Sequence, residues 1–293
     1  MDITIKKYQK LLTALQQQGA SFQTFSEFLQ NPQEHSNILR HDVDLLPGNS
    51  LRFAQIQAEL GIKGSYYFRA VPQSWDEAII KKIAALGHEV GYHYENMDDV
   101  SEKLKVKSLK FKAEVRRQKS GLNLLDSENS GHPLGKGQSR WDKDYEKLLD
   151  LAYEDFCENL EKLRKLVPVT TICMHGSPRS IFDNKAIWEK YDYKTLGLIG
   201  EPYFNIDFNK VAYLTDTGRR WNGGKVSIRD KVNSSFNFNF RSTKDIINSV
   251  DKLPDQVMFT FHPQRWSDNW YLWTKELVLQ NIKNQVKRFV VRK

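Results

Sequence analysis

The feature that most constrains the fold is an alternation between short apolar runs and longer segments with helical spacing. The runs are rich in β-branched and aromatic residues, and several are continuously apolar, as expected for strands that are covered on both faces. This alternation predicts repeated βα units and a mostly parallel sheet. Seven such runs are present: NILRHD at 37–42, GSYYFR at 64–69, EVGYHY at 89–94, VTTICMH at 169–175, YKTLGL at 193–198, VAYLTD at 211–216 and VMFTFH at 257–262.

The segments between these runs predict helices. The stretch at 120–140 interrupts a long helical region with Gly, Ser, Asn and Pro, and we interpret it as a loop or lid over the sheet, not as a domain boundary. A chain of 293 residues is long enough for one large α/β domain, so we expect residues 1–293 to form a single domain. The predicted helices are Ser50–Leu60, Asp76–Leu86, about 101–120, 141–165, Lys185–Lys190, Thr243–Val250 and Trp270–Arg288.

Composition argues against several classes of protein. The formal charge of +8 would suit a polyanionic partner, but the lysines are spread along predicted helices, as on solvated helix faces, and no nucleic-acid-binding motif is present. Cys157 and Cys173 form neither a disulfide framework nor a CxxC metal motif. No window has the length of apolar sequence that a membrane helix needs, and the N-terminal segment lacks a signal-peptide core. We therefore expect a cytoplasmic protein with no membrane span and no nucleic-acid partner.

Polar side chains stand where the apolar runs end. In parallel α/β folds the carboxyl ends of the strands form the face that binds ligands, so these residues should meet at one edge of the sheet. They are Arg40, His41, Asp42 and Asp44 after the first run, Arg69 after the second, His93 and Glu95 after the third, His175 after the fourth, Asp216 after the sixth and His262 after the seventh.

The motif RHDVD places two carboxylates two residues apart at the end of a strand, so that Asp42 and Asp44 can point to one side of the backbone. Two close carboxylates repel each other, and a divalent cation is the usual way to compensate them. The alternative is a local role, with Asp42 capping the next segment and Asp44 making a turn before LLPGN.

Two further motifs supply histidines. GHEVGYHYE places His93 and Glu95 on one strand face, with Gly91 allowing close backbone approach. MHGSP places His175 directly after a buried strand, where its imidazole can complete a metal site or contact a substrate. Each histidine taken alone is also compatible with an ordinary hydrogen-bonded role.

Two loops pair arginine with tryptophan. YLTDTGRRW contains Asp216, Arg220 and Trp221, and TFHPQRW contains His262 and a second such pair. A tryptophan is commonly a core residue, but two such pairs on one predicted face favour an anionic carbohydrate or a nucleotide sugar over an apolar ligand.

Taken together and in this order, RHDVD, GHEVGYHYE, MHGSP, TDTGRRW and TFHPQRW resemble the five motifs of the polysaccharide deacetylase family, with the NodB homology fold and similarity to carbohydrate esterase family 4. The resemblance covers nearly the whole chain and is nearest to a branch linked to bacterial surface-polysaccharide synthesis. It implies an α/β fold built as an incomplete (β/α)₇ barrel, and removal of an acyl group, normally acetyl, from a sugar or glycan.

The resemblance also implies roles for individual residues. A divalent metal, expected to be Zn²⁺, would be held by Asp44, His93 and His175, with Glu95 as the alternative third ligand. Asp42 would be the general base, and His262, oriented by Asp216, would protonate the leaving group. Residues expected to contact the carbohydrate are Arg40, Glu95, Arg220 and Trp221.

Two positions depart from the family pattern. Val43 separates an acidic pair that is usually adjacent, and Met97 occupies the position of a usual second metal-binding histidine. These departures motivate an alternative, in which the barrel has lost catalysis and binds a glycan or nucleotide sugar without hydrolysis.

Overall fold

The computed structural model describes residues 1–103, 138–176, 182–221 and 232–291. Within these ranges the chain alternates between helices and strands as an α/β fold. The strands are β1 Ser21–Gln23, β2 Ser36–Val43, β3 Ser65–Phe68, β4 Glu89–Tyr94, β5 Ile172–Met174, β6 Ala212–Thr215 and β7 Gln256–Phe261. The helices are α1 Ile5–Gln17, α2 Phe25–Gln30, α3 Pro47–Glu59, α4 Glu77–Ala85, α5 Asn96–Lys103, α6 Gln138–Arg164, α7 Pro202–Asn205, α8 Thr243–Ile247 and α9 Trp270–Val291.

All strand pairings are parallel, which confirms the predicted α/β class and parallel sheet. The strand order is β5-β4-β3-β2-β7-β6, and β1 adds to the first residues of β2. The sheet curls into an open half-barrel, because no ladder joins β5 to β6 in the described part of the chain. All six carboxyl ends of this row therefore lie along one curved edge.

The two faces of the sheet carry separate cores. On β2, Leu39 and Val43 belong to a large cluster on the face packed against the helices. Ile38 points to the opposite, concave face, where it packs with Tyr67 and Met258. The alternation follows from the two-residue period of side chains along a strand. Polar residues that share the phase of Ile38 are thereby directed into the interior of the half-barrel.

The prediction of a strand at 193–198 is wrong. Tyr193–Leu196 forms one turn of 3₁₀ helix, whose first N–H groups are satisfied in part by the Asp192 side chain accepting from Lys194. Gly197 then takes the left-handed conformation at φ 70° and ends the turn, a position that glycine occupies without steric cost. Four elements, the helices α1, α2 and α7 and the strand β1, were not predicted.

The predicted helices are otherwise present, with shifted ends. Lys185–Lys190 corresponds to a 3₁₀ helix at Asn184–Glu189, and Thr243–Val250 to the shorter α8. Residues 104–120 of one predicted helix, and residues 120–137 of the predicted lid, lie outside the described residues. No helix in the described ranges is long and apolar enough to cross a bilayer.

Gly91 is required by the packing inside the half-barrel. A Cβ atom built at this position would lie 2.5 Å or less from two atoms of the Tyr67 ring and 2.8 Å from the Thr171 carbonyl oxygen. Neither neighbour has room to withdraw, because both are fully buried. The close approach predicted from the sequence is therefore the contact between β4 and the Tyr67 ring.

Gly91→Ala is expected to lower the free energy of unfolding by about 1–3 kcal/mol, the usual cost of overpacking a core. The control is Gly48→Ala in α3, where the new Cβ would meet nothing within 4 Å. That change should be neutral or stabilising by up to about 1 kcal/mol, because glycine is a poor helix former. Urea unfolding of both variants measures the difference, and equal stabilities would contradict the assignment.

His41 has the opposite orientation to Asp42 and faces the helices. Its Nδ1–H donates to the Ser65 carbonyl at 3.1 Å, and its Nε2 accepts from the Tyr8 hydroxyl at 3.0 Å. Gln57 Nε2 donates to the same hydroxyl at 2.7 Å. Burial lowers the pKa of His41 to about 3, outweighing the carbonyl contact, which raises it. His41 is therefore neutral in the folded protein.

This shift predicts a pH dependence of stability. An unfolded histidine has a pKa of about 6.5, so between pH 6.5 and 3 the unfolded chain binds a proton that folded His41 excludes. The contribution of neutral His41 to the free energy of unfolding is complete above pH 6.5. It declines as the pH falls, by up to about 1.4 kcal/mol per pH unit. Unfolding in chelator should show a shallower decline for His41→Gln than for the parent protein; parallel curves would refute the prediction.

Candidate functional site

The predicted polar residues meet at the carboxyl edge of the sheet. Asp42 is on β2, and Asp44 follows it directly. His93 lies near the carboxyl end of β4, and His175 follows β5. On the other side of β2, Thr260 of β7 pairs with Arg40, so that His262, two residues further on, lies level with Asp42.

Asp44, His93 and His175 form a compact set of metal-binding atoms. Asp44 Oδ1 lies 3.6 Å from His93 Nε2 and 3.6 Å from His175 Nε2. One donor atom from each residue lies within 4.8 Å of the other two. The two imidazole rings are 5.1 Å apart and nearly perpendicular, at 79°. The sequence separates these three residues by up to 131 positions, and the sheet brings them together.

The second nitrogen of each imidazole lies close to an oxygen atom. His93 Nδ1 lies 2.9 Å from the Cys173 carbonyl oxygen, to which it donates. His175 Nδ1 lies 2.8 Å from Glu95 Oε2. Both contacts favour the tautomer with the proton on Nδ1, so both Nε2 lone pairs are directed at Asp44. This is the arrangement that orients histidines which bind metals.

Glu95 is held in place by Arg69. Two nitrogens of Arg69 donate to the two oxygens of Glu95 at 2.7 Å each, and a third donates to the Asp44 carbonyl at 3.2 Å. Burial raises the pKa of Glu95, but His175 and Arg69 outweigh it and lower that pKa to about 2. Glu95 is therefore a fixed anion behind His175, and Arg69 links it to the backbone of Asp44.

Only one of the two Asp44 carboxylate oxygens accepts a hydrogen bond from the described residues. Its Oδ2 accepts from Gln264 Nε2 at 2.9 Å, whereas its buried Oδ1 has no hydrogen-bond donor within the described residues. Burial raises the pKa of Asp44, but His93 and the charges of His175 and His262 hold it well below its usual range. A buried anionic oxygen without a donor is costly unless a cation meets it.

One carboxylate oxygen and two imidazole nitrogens are a donor set that fits a divalent ion such as zinc. Bonds of about 2.0–2.2 Å place the donors of a four-coordinate ion about 3.3–3.5 Å apart, close to the separations observed here. Asp42, His93 and Cys173 form a second grouping of possible ligands. That grouping fits less well, because both Asp42 oxygens accept from Arg40, at 2.8 and 2.7 Å.

His262 and Asp216 form a hydrogen-bonded pair beside the metal-binding set. His262 Nδ1 lies 2.6 Å from Asp216 Oδ1, and the His262 backbone N–H donates to Asp216 Oδ2 at 3.0 Å. Arg265 donates to the same carboxylate at 3.2 Å, and Trp266 Nε1 also donates to it. Burial raises the pKa of Asp216, but the charges of His262 and Arg265 outweigh burial and hold this pKa below its usual value. His262 thus keeps Nε2 free for a proton.

The four predicted carbohydrate contacts occupy different environments. Arg40 is 1% exposed and pairs with Asp42, and Glu95 is buried between Arg69 and His175. Trp221 is 4% exposed, packs edge-on against Phe261 and donates from Nε1 to Thr243 Oγ1. Burial therefore gives Trp221 a packing role and leaves no ring face for a sugar. Arg220, by contrast, is exposed.

The two departures from the family pattern have simple structural explanations. Val43 is fully buried against the helices, so Asp42 and Asp44 point together into the half-barrel on either side of it. Met97 is fully buried in a separate cluster with Val100 and Leu148. The Met97 side chain therefore belongs to the packing of α5 against α6, and His175 supplies the second imidazole of the site.

Sequence reasoning missed two functional contacts. No role was predicted for Gln264, although it stands two residues after His262 in a loop that contacts Asp44. Arg69 was noted only as a polar strand end, and nothing in its local sequence indicates that it pairs with Glu95, 26 positions away. This pair could have been predicted only from the knowledge that β3 and β4 are parallel neighbours, and from their register.

No protein-family model matches this chain, and no curated protein is similar enough to it to indicate a relationship.

Removing any of the three proposed ligands should reduce metal binding. Asp44→Ala, His93→Ala and His175→Ala are each expected to weaken zinc binding more than Glu95→Gln, which should cost about 10–100-fold as the loss of an orienting partner. Calorimetric titration of metal-stripped protein gives the affinities. The control is His35→Ala, an exposed histidine before the other end of β2. Unchanged affinity in all three ligand variants would exclude this site.

Proposed function

We propose that this protein is a metal-dependent hydrolase that removes an acyl group, normally acetyl, from a sugar or glycan. The observation that carries the proposal is the buried, unpartnered Asp44 Oδ1 that lies 3.6 Å from the Nε2 atoms of His93 and His175. The order of the sequence motifs, which resembles that of the polysaccharide deacetylases, supports acyl transfer to water as the reaction.

Asp44, His93 and His175 would hold the ion, with zinc favoured by the mixture of nitrogen and carboxylate donors. When bound, such an ion supplies a Lewis acid that polarises the acyl carbonyl and lowers the pKa of water. The contribution of the protein is orientation. Glu95 and the Cys173 carbonyl orient the two imidazole rings, and the hydrogen bond from Gln264 restricts rotation of the Asp44 carboxylate.

Asp42 is the proposed general base. It accepts two hydrogen bonds from Arg40 and lies 3.7 Å from His93 Nε2, next to the metal-binding set. The Arg40 pairing keeps the carboxylate in one orientation and leaves lone pairs of both oxygens for a further donor. Asp42 takes the proton from a water molecule as the oxygen attacks the acyl carbon.

His262 is the proposed general acid. With Nδ1 held by Asp216, its Nε2 is the atom that gives a proton to the departing nitrogen or oxygen of the sugar. The acyl C–N or C–O bond breaks, and the products are a carboxylic acid and a free amine or hydroxyl group. Arg40 acts in this scheme through Asp42, and no substrate contact is proposed for Trp221.

The resemblance to the polysaccharide deacetylases is the basis for proposing a carbohydrate substrate. It also connects the proposed reaction to bacterial surface-polysaccharide metabolism. Exposed Arg220 stands four residues after Asp216 and remains the proposed contact for a negatively charged part of the sugar. The competing proposal, a barrel that binds glycans without hydrolysis, arose from Met97 and Val43. Both residues are core residues in the fold, and His175 offers the second imidazole that Met97 lacks, which favours the proposal of hydrolysis.

Purified protein loaded with zinc should release acetate from an N- or O-acetylated sugar in a panel of such compounds. Chelator should abolish the release, and added zinc should restore it. His262→Ala and Asp42→Asn are each expected to lower kcat by about 10²–10⁴-fold, the usual contribution of one acid or base. Enzymatic assay of acetate measures the turnover.

The matched control for His262→Ala is His35→Ala, which should retain full turnover because His35 is exposed and pairs only with Asp255. Zinc binding that persists without acetate release from any compound, together with saturable binding of a glycan, would instead support the non-hydrolytic alternative.

A further inference from the structure

Helix α9 buries polar side chains on part of its inward face. Its inward face includes Gln280 and Asn284, which are 5% and 6% exposed. Gln280 Nε2 donates to Asn284 Oδ1 at 2.8 Å, and Asn284 Nδ2 donates to the Gly218 carbonyl at 3.0 Å. Polar side chains thus dock this part of the helix on the loop that follows Asp216.

The outward face of α9 is rich in apolar side chains. Six large hydrophobic residues on this helix are more than two-fifths exposed, from Trp270 at 69% to Leu279 at 42%. The full set is Trp270, Tyr271, Leu272, Val278, Leu279 and Ile282. Single exposed apolar residues are common, but a group of six on one helix marks a surface that binds something.

Charge on this face is of one sign. Lys275 and Lys283 are exposed between and beside the apolar residues. Glu276 is the one acidic residue from 270 to 285, and it is half-buried, close enough to Arg219 for their charges to interact. The sequence continues with Lys287 and Arg288, and the whole chain carries a formal charge of +8. The complementary surface is therefore apolar and negatively charged.

We propose that α9 lies flat on an anionic lipid bilayer, with its outward face in the headgroup region. Apolar and aromatic residues on one face, interspersed with lysines, are features of helices that bind in the plane of a membrane without crossing it. Tryptophan and tyrosine suit this depth because each has an apolar ring and a polar atom. A symmetric pairing with a second copy would bring Lys275 and Lys283 against like charges, with no exposed carboxylate between residues 270 and 285 to balance them.

Bilayer binding would place α9 between the membrane and the Asp216 side of the candidate site. The inward face of α9 contacts Gly218, in the turn between Asp216 and Arg220. The helix also begins four residues after Trp266, whose indole nitrogen donates to Asp216. The edge of the sheet that carries His262 and Asp216 therefore lies behind α9, on the side of the helix opposite the lipid-binding face, and this inference does not depend on the reaction proposed above.

The full chain should co-sediment with phosphatidylcholine vesicles that contain phosphatidylglycerol and bind pure phosphatidylcholine vesicles much more weakly. Leu279→Gln with Ile282→Gln should weaken binding by about tenfold or more, because two buried aliphatic side chains are lost. Lys275→Gln and Lys283→Gln should each weaken it by about fivefold and reduce its dependence on salt.

Matched controls are Leu86→Gln and Ile199→Gln, which are 38% and 37% exposed and lie outside α9. They should bind vesicles as the parent protein does, and an unchanged thermal unfolding transition shows that every variant is folded. Equal sedimentation of the α9 variants and the parent would overturn the proposal. So would a dimer in light scattering that the Leu279 and Ile282 changes dissociate, without vesicle binding, since a second copy would then cover the face.

Discussion

The two-residue alternation of strand β2 is the constraint on which both the core and the candidate site depend. β2 is hydrogen-bonded to β7 on one side and to β1 and β3 on the other, so it has no freedom to change its register. A shift by one residue would exchange every side chain between the two faces. In the observed register Leu39 and Val43 meet the helices, while Arg40 and Asp42 enter the interior. Two such buried charges are tolerated because they pair with each other through two hydrogen bonds.

The same alternation sets the position of Asp44 and, through it, the chemistry of the edge. Asp44 leaves the strand on the interior side, where His93 and His175 present their Nε2 atoms from β4 and from the end of β5. Each histidine is fixed by a group that belongs to the sheet or is tied to it, the Cys173 carbonyl or the Arg69–Glu95 pair. On the other flank, Asp216 and His262 are joined across β6 and β7. These residues lie within strands or directly after strand ends, where the backbone moves less than in long loops, so their side chains are held in one arrangement.

Much of the fold could be predicted from local sequence because its signal is local. Buried parallel strands are short and continuously apolar, and six of the seven apolar runs are strands. The run at 193–198 failed because Asp192 and Gly197 impose a capped turn on a segment whose apolar residues look like a strand. β1 has three residues, too few for a pattern, and it forms by pairing with the start of β2. For the site, the ends of the runs identified the residues that meet at the edge, but Trp221 was expected to face a ligand and lies in the core.

The sequence by itself determined the order of the strands' polar ends and the phase of the residues on each strand, because both follow from the period of side chains along an extended backbone. It therefore specified that Asp42 and Asp44 share a side, and that His93 and Glu95 do as well. Only the tertiary structure decided which groups became partners: Glu95 with Arg69 and His175, Asp42 with Arg40, and Gln264 with Asp44. It also decided that Met97 and Trp221 are packed inside. These outcomes depend on strand register and on burial, which arise from contacts between residues far apart in the chain.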